Sequence, residues 1–302
     1  NNEVEYEDVS DPSVYVKFDL VDHEGSLVIW TTTPWTIPAN TFVAVDGDGE
    51  YVAVDAAKNG SVADGDTERL YLAKPKVEEV LKAGRYDDYE VVEELSGEDL
   101  VGWEYAHPLR EHVPDAPGGG ANDFEGALEV YTADYVDTEG EGTGLVHSAP
   151  GHGEEDFRRG QELALDVFCP VGPDGVYEDD AGAYEGQFVK DADDAIIADL
   201  EASGHMLHAG TTTHSYGHCW RCDTGVLQIV TDQWFITVTD IKQDLLDNIG
   251  DSEWYPDWAR ENRFRDFVEE APDWNVSRQR YWGIPIPIWL PTETEAGEPV
   301  EW

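Results

Sequence analysis

Three consecutive threonines, Thr31, Thr32 and Thr33, stand where an apolar run over 27–30 ends. The run is rich in residues that favour extended chain. Pro34 follows at once, removes a backbone donor and restricts Thr33 to extended or turn geometry. The pattern predicts a strand that ends in a rim of hydroxyl groups, which can both donate and accept hydrogen bonds. By itself, the stretch is typical of a polar turn.

A second polar group follows the apolar alternation near residue 145, where His147 and Ser148 are adjacent. A histidine in such a strand is more typical of core packing than of catalysis. No G-x-S-x-G sequence occurs in the chain, so Ser148 lacks the nucleophile elbow of acyl-enzyme hydrolases. The residues alone therefore do not predict an acyl-enzyme mechanism.

Asp156 lies in the first turn of a predicted helix, after Gly151 and Gly153. Free backbone amides at a helix start favour an anion, so we expect this carboxylate to stay ionised. An acid at a helix start is among the commonest uses of aspartate. Binding of a substrate ammonium group is the functional alternative.

Cys219 and Cys222 form a C-x-x-C pair, which is half of a four-ligand zinc site. His214 and His218 are close in sequence, but His218 adjoins Cys219, so placing both on one tetrahedral ion is awkward. No second C-x-x-C occurs in the 302 residues. The pair is either a thiol turn without a metal or half of a site completed from outside the chain.

The elements that must position these residues follow from hydrophobic periodicity. Strands are predicted over 4–9, 14–21, 27–32, 41–45, 51–54, 89–95, 128–136, 143–147 and 226–238. Helices are predicted over 76–83, 153–165, 191–202, 241–249 and 258–268. Many short strands with few helices predict a mixed α/β, β-rich fold, with a β-barrel-like domain and helical insertions over 1–210. The pattern changes after residue 211, which indicates a separate segment over 211–302.

The composition is strongly acidic, with 66 acidic and 18 basic residues and a formal charge of −48. The acids are spread along the chain, which excludes an acidic tail, and the many aromatic residues argue against disorder. We interpret the charge as adaptation to concentrated salt, because a screening length of about 3 Å at 1 M removes most of the self-repulsion. The charge therefore reflects the solvent rather than a ligand.

The chain carries no apolar stretch of the ~20 residues that a membrane span needs, and no signal peptide. We therefore expect a cytoplasmic protein without a membrane partner. The chain opens without a methionine, so we expect a segment of a longer protein. Five of the basic residues cluster near the C-terminus: Arg260, Arg263, Arg265, Arg278 and Arg280. They indicate either contact with RNA or a solvated helix.

Four separated segments resemble isoleucyl-tRNA synthetases of class I, in the order found in that family. The segments cover 31–40, 142–157, 214–222 and 277–287. The tetrad Thr33-Pro34-Trp35-Thr36 distinguishes the chain from leucyl and valyl enzymes, which typically carry arginine in place of Thr33 and an acid in place of Trp35. The resemblance covers nearly the whole chain.

The resemblance implies an editing domain inserted into a Rossmann-type catalytic domain, with 211–302 as the connective segment that returns to the catalytic half. The implied activity is hydrolysis of valine wrongly esterified to tRNA(Ile), with valyl-adenylate as an alternative substrate. The family's His-Ile-Gly-His and Lys-Met-Ser-Lys-Ser signatures are absent, so we expect no activation of isoleucine by this segment. Editing needs no cofactor. ATP, and zinc as an open alternative, belong to the full-length enzyme, whose remaining chain is an implied partner.

The resemblance also implies residue roles. Asp156 resembles the carboxylate that holds the α-ammonium group, and His147 resembles a pocket wall that limits side-chain size. The hydroxyls of residues 31–33 would position the ester and the attacking water, while Trp35 and Thr36 would line the substrate site. The proton acceptor stays open, with the ribose hydroxyl of the tRNA as a candidate.

Three alternatives compete with this interpretation. The first is a valyl- or leucyl-type editing domain. The second is a tRNA-binding module without activity, based on the arginine cluster. The third is a metal-dependent hydrolase that uses His214, His218 and the cysteine pair.

Overall fold

The computed structural model describes residues 4–277, which form two compact units divided between Val230 and Thr231. Arg278, Arg280 and most of the segment 277–287 lie outside the described residues. No helix within residues 4–277 is long and apolar enough to cross a membrane.

The first unit is built mainly from strands. Over its described residues the strands are β1 (Val4–Asp19), β2 (Ser26–Thr31), β3 (Phe42–Val45), β4 (Glu50–Ala57), β5 (Glu68–Ala73), β6 (Asp88–Ser96), β7 (Val130–Thr132), β8 (Leu145–Ser148) and β9 (Met206–Cys219). The α-helices are α1 (Val77–Ala83), α2 (Gly97–Leu100), α3 (Glu154–Glu162) and α4 (Val189–Ala202). Short 3₁₀ helices cover Pro34–Ala39, Val62–Asp64, Lys74–Lys76 and Asp179–Tyr184.

These strands form two sheets, one in the order β6-β4-β5-β2-β1-β9 and one in the order β7-β3-β8. The predicted mixed α/β, β-rich fold is therefore confirmed. The strand order of the larger sheet is open. We predicted a barrel-like closure of the domain. Among the described residues, the isolated β-bridges Leu20–Tyr105 and Glu104–Glu129 are the features that relate to this prediction.

The core of the first unit includes much of strands β1 and β2. Val14, Val16 and Phe18 of β1 are fully buried, as is the run Leu27–Ile29 of β2. Burial on both faces explains why β2 is continuously apolar rather than alternating. This core fixes the end of β2, where the threonine rim begins.

Strands β1 and β9 extend beyond the sheet as a two-stranded ribbon. Val4 pairs with Cys219 and Ser13 with Gly210, whereas β1 pairs with β2 only from Val14 onward. The sequence pattern divided β1 in two and missed β9, because an exposed ribbon buries neither face and shows no clear period of two. Strand β9 crosses the predicted domain boundary at 210, and the first unit continues to Val230.

The structure differs from the sequence prediction in two further places. Strand β5 was not predicted. The strand predicted over 226–238 is wrong, since only Phe235–Ile236 forms a strand there. Leu227 and Ile229 are half-buried against the core. Their apolar side chains therefore serve packing rather than strand pairing.

The second unit is small and mainly helical. Its described elements are β10 (Phe235–Ile236), α5 (Val238–Asp251), a π-helical turn Arg260–Arg265, α6 (Asp266–Glu270) and β11 (Trp274–Asn275). Strands β10 and β11 pair in antiparallel fashion. The helices predicted over 241–249 and 258–268 are confirmed with shifted ends.

Candidate functional site

The threonine rim leads directly into the buried 3₁₀ helix Pro34–Ala39. Pro34 occupies the first helical position, where its fixed φ suits the helix and its missing N–H leaves no donor unpaired. The N–H of Thr36 donates to the carbonyl of Thr33 at 3.0 Å, which closes the first turn. The rim is therefore the start of a buried helix rather than a surface turn.

The hydroxyl groups of this rim hold one another. The Oγ1 of Thr31 accepts from the backbone N–H of Thr33 at 3.1 Å and lies 3.1 Å from the Oγ1 of Thr33. The Oγ1 of Thr36 donates to the carbonyl of Thr33 at 2.8 Å. These contacts fix the geometry of the turn before any ligand binds.

Both ring nitrogens of His147 are within hydrogen-bonding distance of residues of the 3₁₀ helix or of its C-terminal end. The Nδ2 of Asn40 lies 2.8 Å from the Nδ1 of His147, and the Oγ1 of Thr36 lies 2.8 Å from its Nε2. Tyr105 donates to the Oδ1 of Asn40 at 2.6 Å, so the amide group of Asn40 presents its donor to the ring. Nδ1 therefore accepts, and Nε2 carries the proton and donates to Thr36.

Burial lowers the pKa of His147 to about 3. The ring is thus neutral at neutral pH, and both of its nitrogens already have partners. A neutral, doubly hydrogen-bonded imidazole cannot accept a proton from water without breaking a contact. Its arrangement is that of a rigid wall.

A cavity of about 220 Å³ lies beside this wall. Thr31, Thr32 and His147 line it, together with the glycine-flanked segment 142–144 and the acids Asp137 and Glu141. The structure therefore brings together three of the residues that the sequence singled out, around one small space.

Asp156 occupies the first turn of α3, as predicted, but other groups than the helix amides hold it. Its Oδ2 accepts from the N–H of Ala149 at 2.9 Å, and its Oδ1 accepts from the hydroxyl of Tyr135 at 3.2 Å. Burial raises the pKa of the Asp156 carboxyl, and the hydrogen bond from Ala149 counteracts the increase. The expectation that the helix start favours the ionised form is thus opposed by burial.

Asp156 and His147 lie on different sides of β8. His147 contacts Thr36 and Asn40, whereas the next residue, Ser148, lies 3.1 Å from the hydroxyl of Tyr135, on the side of Asp156. Successive side chains of a strand point to opposite faces. Asp156 accordingly lines a second cavity, of about 420 Å³, with Gln228 as a neighbour.

Trp35 lies in the core, because its side chain is only 3% exposed. Its ring packs edge-on against His152, with centroids 5.0 Å apart. The pKa of His152 falls to about 4 through burial. Trp35 is not among the residues that line the two cavities described above, so the substrate contact that the resemblance implies for it stays a prediction.

Sequence reasoning missed Asn40, Tyr105, Tyr135 and His152. Asn40 and His152 lie inside segments that carried the resemblance, so their polar character was visible there. Tyr105 and Tyr135 lie outside those segments, and no sequence signal connects them with the site.

The cysteine pair lies where the β1–β9 ribbon ends. A hydrogen bond from Thr224 lowers the pKa of the Cys222 thiol. Between residues 4 and 277, no group of three or more His, Cys, Asp or Glu side chains is arranged to hold a metal ion, and His214 instead contacts Asp11 at 3.0 Å. Two thiols supply half of a tetrahedral set, so the described residues do not by themselves fit a zinc ion.

The described part of the arginine cluster is partly neutralised. Arg260 contacts Glu261 at 2.7 Å, and Arg265 contacts Glu269 at 2.9 Å. This pairing reduces the positive charge available to a phosphate.

Comparison of the sequence with known proteins shows the family of the chain. The chain matches the model of the tRNA synthetases class I (I, L, M and V) over residues 1–300. The isoleucine--tRNA ligase of Haloarcula marismortui is 70% identical over 97% of this chain, and that of Natronomonas pharaonis is 68% identical over 97%. The chain covers 26% of each of these proteins, so it spans about a quarter of their length.

Among solved structures, GlLeuRS-CP1 aligns with a TM-score of 0.47 and 14% identity, over 64% of this chain and 96% of that chain. Both ligases come from halophilic archaea, which confirms the interpretation of the acidic composition. Their identities also confirm the resemblance to isoleucyl-tRNA synthetases. The chain therefore belongs to the class I tRNA synthetases.

Proposed function

We propose that this chain is the proofreading segment of an isoleucine–tRNA ligase and hydrolyses valine wrongly esterified to tRNA(Ile). The observation that carries the proposal is the small cavity beside a neutral His147 that is fixed on both ring nitrogens. Relatives that are isoleucine--tRNA ligases supply the substrate class.

Rigidity of the His147 wall is what makes the cavity selective. Moving the ring breaks two buried hydrogen bonds, each of which contributes about 1 kcal/mol. Forcing one additional methylene group against a fixed wall costs about 1–3 kcal/mol through overpacking, so the wall would disfavour isoleucine relative to valine.

The hydroxyl groups of Thr31 and Thr32 face this cavity and would orient the ester and a water molecule. His147 is a poor proton acceptor, because it is neutral with both nitrogens engaged. We propose that the neighbouring ribose hydroxyl of the tRNA relays the proton, accepting it from the attacking water while it donates its own proton to the departing ester oxygen. The reaction as proposed needs no cofactor, while ATP and zinc would serve the full-length enzyme.

Asp156 retains acceptor capacity after its two contacts, since each carboxylate oxygen accepts more than one hydrogen bond. We propose that it holds the α-ammonium group just beyond the end of β8, because its partner Ala149 directly follows that strand. The partners in this proposal are the acceptor end of tRNA(Ile) and the remainder of the synthetase, in the cytoplasm.

The test is deacylation of Val-tRNA(Ile) and Ile-tRNA(Ile) by the 302-residue chain in molar KCl. We expect the valyl ester to be cleaved much faster than the isoleucyl ester. Equal cleavage of both esters, or cleavage of neither, would contradict the proposal. Parallel assays with Thr-tRNA(Val) distinguish the valyl-type alternative.

Asp156→Ala should abolish deacylation of Val-tRNA(Ile) and leave the fold intact, because the ammonium group loses its anion. Asp166→Ala is the matched control, since Asp166 is an exposed acid after the same helix. Full activity in the Asp156 variant would reject the role of this carboxylate.

A further inference from the structure

Asp193 is a buried acid outside the site. It lies on α4, its side chain is 4% exposed, and its Oδ1 has no hydrogen-bond partner among the described residues. Helix α4 packs against the 3₁₀ helix Pro34–Ala39, and a hydrogen bond from the backbone of Trp35 lowers the pKa of the Asp193 carboxyl, against the larger effect of burial.

The Trp35 amide requires a partner from elsewhere in the fold. The first amides of a helix have no acceptor within it. Pro34 has no N–H, the N–H of Thr36 donates to Thr33, and the Thr33 side chain makes no capping hydrogen bond. Trp35 thus has the orphan donor of this helix, and leaving it unpaired in the core would be costly. Asp193 supplies the missing cap.

Two other buried side chains hold the same helix. Tyr177 donates its hydroxyl to the carbonyl of Trp35. The Nε2 of His107 lies 3.1 Å from the carbonyl of Ile37, and its Nδ1 accepts from the N–H of Leu109. The Trp35 peptide is therefore held at its N–H by Asp193 and at its C=O by Tyr177.

The helix that Asp193 caps carries the residues that grip His147. Thr36 is the next residue after Trp35, and Asn40 follows the last turn. We propose that Asp193 is a positioning residue for the hydrolysis proposed above, and that it fixes the Trp35 peptide and thereby the contacts of Thr36 and Asn40 with His147. This inference rests on the proposed function.

The charged surroundings of Asp193 define what its replacement should do. Lys190 and Asp194 face it from its own helix, Asp11 from β1, Tyr216 from β9 and Tyr177 from the loop before the 3₁₀ helix at 179. The β9 residue His214 is bound to Asp11. Burial raises the pKa of Asp193 to about 7, and Lys190 opposes the increase. Asparagine keeps an acceptor for the Trp35 N–H without this charge.

The experiment compares Asp193→Asn and Asp193→Leu with Asp191→Asn, an exposed control on the same helix. We expect Asp193→Leu to lower kcat for Val-tRNA(Ile) deacylation by roughly tenfold to a hundredfold with little change in KM, because misplacement of the site impairs the chemical step. Asp193→Asn should retain kcat and lose any titration near pH 7. Equal kcat in the leucine variant and the wild type, or equal losses in both Asp193 variants, would overturn the inference.

Hydrogen exchange of the Trp35 amide supplies a second readout that does not need activity. Its protection should be lost in Asp193→Leu and kept in Asp193→Asn and Asp191→Asn. Unchanged protection in the leucine variant would refute the capping role. An inactive wild type with this exchange pattern would instead reject the proposed function and leave the capping role established.

Discussion

His147 illustrates how one side chain obtains its properties from its neighbours. Its contacts with Thr36 and Asn40 fix the tautomer, and burial keeps the ring neutral. A residue that sequence context would class as core packing becomes a selective wall because a cavity lies beside it. Both descriptions are correct at this position.

Thr36→Val should lower the rate of Val-tRNA(Ile) deacylation and raise the relative cleavage of Ile-tRNA(Ile). The substitution nearly keeps the shape of the side chain but removes the hydroxyl that accepts from His147 and donates to Thr33. It leaves a buried N–H unpaired, which costs about 1–3 kcal/mol in the free energy of unfolding. Steady-state kinetics and urea titration at fixed salt measure the two effects.

Thr41→Val is the control for this variant. Thr41 is also buried, but its hydroxyl donates to the carbonyl of Ala39 rather than to a group of the His147 site. We expect a stability loss in the control without a change in the valine-to-isoleucine ratio. A changed ratio in both variants would show that general loosening, rather than the His147 contact, sets selectivity.

Sequence reasoning reached the residues of the site unevenly. Thr31, Thr32 and His147 were visible because unusual residues are adjacent to apolar runs. Asp193 and Tyr105 were not, because each acts through one hydrogen bond to a residue more than sixty positions away in sequence. A single sequence contains no signal for such a pairing.

At the scale of elements, the glycine-flanked segment 142–144 depends on a close approach between backbones. Gly144 has φ +78°, and a Cβ there would lie 2.3 Å from the Cβ of Ala73 at the end of β5. The carbonyl of Gly144 also accepts from the hydroxyl of Tyr51 at 2.8 Å. Strand β5 therefore supports the cavity from behind.

Gly144→Ala should lower the free energy of unfolding by about 2–5 kcal/mol, which combines the left-handed backbone with overpacking. It should also reduce deacylation, because the glycine-flanked segment 142–144 lines the cavity and would be displaced. Chemical denaturation and the deacylation assay check these expectations.

Gly65→Ala provides a comparison in which only the backbone term acts. Gly65 has φ +84°, yet a Cβ there meets nothing within 4 Å. Gly65→Ala should lower the free energy of unfolding less than Gly144→Ala does, because the overpacking contribution is absent. The deacylation activity of this variant should be unchanged. Equal losses in the two variants would mean that the contact with Ala73 relaxes freely.

Prediction of the elements succeeded where burial imposes a period and failed elsewhere. Helix α4 was predicted because its apolar residues follow one face, and strand β2 because apolar residues occupy both of its faces. Strand β9 was missed, since its half- and fully exposed residues pair with β1 through backbone groups that every sequence has. Hydrogen bonds between main chains leave little trace in side-chain patterns.

At the scale of the whole molecule, three buried histidines couple folding to pH. Burial lowers the pKa of His107 and His147 to about 3 and that of His152 to about 4. In the unfolded chain they would titrate near 6.5. Below that pH the unfolded chain binds protons that the folded chain does not, so the stability these groups contribute is complete above about 6.5 and declines as the pH falls.

Asp193 acts in the opposite direction, because its pKa of about 7 lies above the usual value and the folded chain keeps its proton longer. Burial also raises the pKa of Asp156 and Asp180, but only the pKa of Asp193 reaches about 7, so we expect the three histidines to outweigh these carboxyls between pH 5 and 6.5. We therefore expect the urea midpoint in constant molar KCl to increase with pH over this interval.

His107→Gln should reduce that slope, because it removes one of the three buried imidazole rings. A midpoint that decreases from pH 5 to 6.5 would contradict the assignment of neutral, buried rings.

The ribbon of β1 and β9 determines how a unit of this kind can be inserted into another protein. Because Val4 and Cys219 are directly paired, the polypeptide enters and leaves the ribbon at two points only about 5 Å apart. A host protein could accept the ribbon and the sheet it leads to at a single hairpin loop without separating its own flanking residues. Gain or loss of this module in evolution would then require no redesign of the recipient's scaffold.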